Sequence, residues 1–104
     1  MKTVFVLFSY QPINHIDGDG IGAEKFIGVF SNIKYAKETA QKMWEYEKRM
    51  IEKEKIFIFA QDYLIEELAI EDKGVEESPE SIKSWTRESH NDDGKLVIMP
   101  WEEL

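Results

Sequence analysis

Residues 3–10, TVFVLFSY, are β-branched or aromatic almost throughout, the pattern of a strand buried on both faces, and Pro12 ends it. A Gly/Asp-rich stretch follows, and 25–30 (KFIGVF) reads as the returning strand of a hairpin with a long connection. Simple alternation puts Phe26, Gly28 and Phe30 on one face and Ile27 and Val29 on the other. From Ile33 the period changes. Apolar residues recur at Ile33, Ala36, Ala40, Met43, Trp44, Met50 and Ile51, a helical spacing interrupted at Glu47, and Ser31 and Asn32 stand ahead of it as cap oxygens. The outer face of this helix pairs Glu38 with Lys42 and Glu45 with Arg49 at i,i+4, each worth about 0.2–0.5 kcal/mol.

The stretch 56–70, IFIFAQDYLIEELAI, allows two readings at its start: the helix continues to about residue 57, or a strand begins at Ile56. Residues 63–70 favour a strand on their aromatic and β-branched content. Gly74 then marks a turn, and Ser78 as N-cap with Pro79 at the first helical position predicts a short helix that continues through 81–87. SHNDDG (89–94) is a loop, and KLVIMP (95–100) is a last strand stopped by Pro100. No repeat or low-complexity tract divides the chain, so residues 1–104 are expected to form a single domain. This order predicts an α+β fold, a two-layer sandwich in which one long helix covers a mainly antiparallel sheet.

Composition narrows the chemistry. With 42% hydrophobic residues and thirteen aromatic ones, the chain carries too much apolar mass to stay disordered despite 33% charged residues. The absence of cysteine excludes disulfides, thiolate metal sites and cysteine nucleophiles. The opening MKTVFVLFSY is too short and too weakly basic for a signal peptide, and no run approaches the ~20 apolar residues of a membrane-spanning helix; the expected location is cytoplasmic.

Charge is unevenly distributed. Residues 1–61 hold nine Lys/Arg against eight Asp/Glu, a net of +1, whereas 62–104 hold four against thirteen, a net of −9. A field of that sign repels nucleic-acid phosphates and anionic lipid and attracts basic proteins. No nucleic-acid or membrane partner is therefore expected, and a basic protein partner is. Glu66, Glu67, Glu71, Asp72, Glu76, Glu77 and Glu80 would supply the field, with Trp85 as an aromatic anchor. The alternative is a solvated acidic face with no partner, and packing in the core is equally open to Trp85 and Trp101.

The stretch HIDGDGIGA (15–23) invites three ligand readings. As a calcium loop starting at Asp17 it has Asp19 and Gly22 in place, but Ile21 and Gly28 occupy positions that need oxygen ligands. As a dinucleotide fingerprint it has Gly18, Gly20 and Ala23, but it leads into a strand pattern where the pyrophosphate needs a helix N-terminus. DGDGIGA also resembles the DGDAIGS stretch of the DHH phosphoesterases, whose aspartates hold manganese; the family's histidine would fall at Ile13, and here His15 stands two residues before Asp17. His15, Asp17 and Asp19 remain weak metal-ligand candidates for a metal-dependent hydrolase. Glycines and aspartates also build such loops without a ligand. No GK[ST] or GxSxG occurs, and the other histidine, His90, lies in a loop of its own, so no catalytic group and no cofactor is assigned.

VFVLFSY, then a loop, then KFIGVFSNIKYAKETAQKM resembles a family of small uncharacterised bacterial proteins: a strand with an aromatic end, an acidic loop, a strand of the KxIGVFS type and an amphipathic helix. The resemblance covers about residues 3–45 and implies the fold, with no catalytic residues to carry over. In size and charge the chain is also similar to toxin-immunity proteins, which implies a cytoplasmic inhibitor of a basic toxin. A small-molecule sensor is a further alternative, one that a pocket would mark.

Overall fold

β1 (Lys2–Tyr10) runs beside β2 (Lys25–Phe30) as an antiparallel hairpin, and α1 (Ile33–Lys53) leaves β2 after a two-residue bend. β3 (Asp62–Ile70), β4 (Lys83–Arg87) and β5 (Glu102–Glu103) follow, giving the all-antiparallel order β2-β1-β3-β4-β5. The computed structural model describes residues 2–10, 24–53, 61–70, 82–91 and 95–104. Within them the fold is α+β, one helix lying on a five-stranded sheet in two layers.

β1 takes the inner position its composition suits: Val6 and Leu7, neighbours on opposite faces, are both buried. α1 begins as its cap residues imply, with the Tyr35 N–H donating to Asn32 Oδ1 at 3.0 Å. Ala36, Ala40 and Trp44 form its buried stripe and meet Leu7, Tyr63 and Ile65 of the sheet. The two alanines matter by their size, since a methyl group lets the helix backbone settle close to the strands. α1 lies over β1, β2 and β3 and leaves β4 and β5 outside its footprint.

Four details differ from the sequence pattern. β2 does not alternate simply, because the register with β1 shifts between Leu7 and Phe8: Gly28 faces Leu7, but Phe26 faces Phe8. One extra residue on β2 turns Ile27 into the core with Phe30, and leaves Phe26 and Val29 exposed on the face away from α1. The i,i+4 partners on α1 run backwards: Glu38 lies 4.0 Å from Lys34, and Glu45 accepts from Gln41 at 3.1 Å.

The third difference is that 83–87 is a strand, not a short helix. A helix this short cannot recover its nucleation cost alone, whereas KSWTR gains a full ladder against β3. Residues 78–81 lie outside the described residues. Finally, 95–100 makes only one bridge, Leu96 to His90, with Val97 and Met99 donating to the carbonyls of Ser89 and Glu88, and the ladder strand is instead β5. Whether 54–60 is helix or strand also falls outside the described residues.

Candidate functional site

At one end of the sheet three strands place polar residues side by side: Ser9 opposes Tyr63, Tyr63 opposes Arg87, and Tyr10 opposes Asp62. Ser9, Asp62, Arg87 and Ser89 are the buried polar residues among those described. Buried polar groups need partners, and most here have them. Asp62 Oδ1 accepts from the Ser89 N–H at 2.9 Å, and the Ser89 hydroxyl donates to the Gln61 carbonyl.

Glu47 arrives from α1. It is the residue that interrupts the apolar stripe, and its carboxylate turns inward, accepting from the Gln61 N–H at 2.6 Å and from the Tyr63 hydroxyl at 2.8 Å. Burial pushes its carboxyl above the usual glutamate range, outweighing both hydrogen bonds. Burial likewise pushes the Tyr63 phenol up, and then the adjacent Glu47 carboxylate raises it further. The Tyr10 phenol is pushed up to about 12, by burial first and then by Asp62, Glu88 and Glu24.

A raised acid has a definite linkage sign. Between the ordinary glutamate value of 4.5 and the raised native one, the folded state binds more protons than the unfolded state, so stability falls as pH rises through that window. Glu47→Gln is expected to flatten this part of the curve of urea midpoint against pH. An unchanged slope would place the titration elsewhere.

Arg87 is the exception in the cluster. It is only 4% exposed, its guanidinium carbon sits 5.4 Å from the centre of the Trp101 ring, and its Nε and Nη2 are buried without an acceptor. Burial lowers its pKa from the ordinary arginine value, and the Tyr63 phenol opposes that shift.

The residues singled out from sequence are placed differently. Glu66 and Glu67 are consecutive on β3, half-buried, and point to opposite faces: Glu66 opposes Val6 and Ser84, Glu67 opposes Phe5 and Lys83. Trp85 is half-buried on the helix side of β4, opposite Ile65, with its ring 6.1 Å from that of Phe5. Glu71, Asp72, Glu76, Glu77 and Glu80 lie outside the described residues, as do His15, Asp17 and Asp19. His90 is half-buried and bridges to Leu96. Among the described residues no group of three or more His, Cys, Asp or Glu could hold a metal ion, and no helix is long and apolar enough to cross a membrane.

An open groove of about 440 Å³ runs along α1 beside Trp44 and Lys48, whose ammonium lies 5.3 Å from the indole centre. Among the described residues its walls come from that one helix and mix both charges, and no polar groups among them converge on a single point. Sequence reasoning missed the polar cluster. The one signal for it was Glu47 standing where the helical period calls for an apolar residue. Comparison with family models, with curated proteins and with solved structures found no match.

Proposed function

We propose that the protein is a non-catalytic interaction domain whose acidic second part, residues 62–104, binds a basic protein partner, in the manner of an immunity protein neutralising a basic toxin. The observation that carries this reading is the separation of charge along the chain and between the layers. α1 bears six Lys/Arg against four Glu, while 62–104 carry a net of −9. Exposed Glu88, Glu102 and Glu103 belong to the β4–β5 side, outside the footprint of α1. Lys83 offsets one of them, its ammonium lying 3.2 Å from Glu103.

A cationic partner meeting this side gains long-range attraction that a neutral one lacks. Because such attraction reaches about 30 Å at 0.01 M salt and about 8 Å at 0.15 M, association is expected to slow steeply with added salt. The test is capture of a basic protein at low salt, followed by association kinetics on the purified pair. Replacing Glu71, Asp72, Glu76, Glu77 and Glu80 together by lysine is expected to slow association by about tenfold or more. An unchanged rate, or no basic protein captured, overturns the reading.

A further inference from the structure

Arginine places its Nε–H and Nη2–H on the same edge of the planar guanidinium, parallel and spaced to meet the two oxygens of one carboxylate. In Arg87 these are the two atoms left without an acceptor, and both are buried. The surrounding acids do not fill the gap. Both oxygens of Glu47 already accept, from the Gln61 N–H and the Tyr63 hydroxyl, and Asp62 holds the Ser89 N–H. An uncompensated buried cation is among the costliest things a fold can carry, so an acceptor on this edge would stabilise the folded chain.

We propose that Arg87 and Trp101 form a binding site for a small carboxylate monoanion, which docks edge-on to the Nε–Nη2 side of the guanidinium while the Trp101 ring covers its face. The ring, 5.4 Å from the guanidinium carbon, covers the face, and the Nε–Nη2 edge itself has almost no accessible surface, so the site is closed until a wall moves. A monoanion is favoured over phosphate because the buried guanidinium neutralises one negative charge, whereas a dianion would bring a second, uncompensated charge into the same buried place. The wall that moves is Trp101. It precedes the two-residue β5, at the sheet edge, whose end is held by the Leu104 N–H on the Ser84 carbonyl. The site does not depend on the acidic-surface reading and stands or falls by itself.

The chain has two arginines, Arg87 and the exposed Arg49, so the side-chain Nε–H region of a proton–nitrogen correlation spectrum holds one reporter for the site and one built-in control. Acetate is titrated into the intact protein at ionic strength held constant with chloride. The Arg87 Nε–H resonance is expected to shift and saturate, the Trp101 indole signal to follow it, and Arg49 to stay in place. Arg87→Lys keeps the charge but loses the two-pronged edge, and is expected to abolish the saturable Trp101 response. Phosphate at the same ionic strength is expected to bind more weakly than acetate, because its second charge would be buried without a partner. The proposal is overturned if the Arg87 resonance does not move, if Arg49 moves equally, if the response survives in the lysine variant, or if phosphate binds as tightly. Should the lysine variant fail to fold, the contrast between the two arginines in the unaltered protein decides.

Discussion

Trp44→Ala is expected to lower unfolding stability by about 3–5 kcal/mol, whereas Phe26→Ala costs about 0.5–1.5 kcal/mol, both read from urea midpoints. Trp44 is 6% exposed and fills the space between α1 and the sheet, where it packs with Leu7, Tyr63 and Ile65. Deleting its ring removes a large buried area, and the remaining walls cannot close the gap, since Ala36 and Ala40 beside it are already as small as a side chain can be. Phe26 is 59% exposed, and its main contact is the edge of the Phe8 ring, centroids 6.2 Å apart. The two values together test the β-bulge. Had β2 alternated without it, Phe26 would share the inward face with Phe30, and its truncation would rival that of Trp44. Equal losses at the two sites would therefore overturn the register.

That bulge shows where sequence stops informing. The strands β1 and β3 were legible from their β-branched and aromatic content, and the helix α1 because its buried face forces one period over many residues. The extra residue in β2 left no local trace, because it is defined only by what β1 places opposite it. At 78–87 the Ser-Pro pair is a genuine helix-start signal, yet the ladder offered by β3 decided the outcome for 83–87. Propensity lost to pairing there.

The polar cluster was hidden for a related reason. Glu47 was visible as an interruption, but whether it pointed inward depended on Gln61 and Tyr63, fourteen and sixteen residues away. Arg87 and Ser89 become buried only when 95–104 folds back beside β4, bringing Trp101 over the guanidinium and Val97 onto the Ser89 carbonyl. The charge count, by contrast, was readable at once and is indifferent to fold. Its distribution over the surface was not, because strand alternation sends Glu66 and Glu67 to opposite faces although they are adjacent in sequence.

Arg87→Met is expected to stabilise the protein in a buffer free of carboxylates, by about 1–3 kcal/mol after the lost contact with Trp101 is allowed for. Ordinarily, removing a buried arginine destabilises, because it strands a partner carboxylate. Here the donors themselves are stranded: Nε and Nη2 face no acceptor, and the residue is 4% exposed. Methionine keeps an unbranched stem, carries no charge to desolvate and retains a favourable sulfur contact with the indole, worth about 0.3–1.5 kcal/mol. It thus replaces most of the packing and removes the penalty. The measurement is the urea midpoint of both proteins with and without acetate. Added acetate is expected to raise the midpoint of the unaltered chain, because a ligand that binds only the folded state stabilises it, and to leave the methionine variant unmoved. A variant clearly less stable than its parent in carboxylate-free buffer would mean that the guanidinium already has its acceptor in solution. A gain would instead identify Arg87 as a residue held at a cost to the fold, the expected mark of a site whose partner is a ligand.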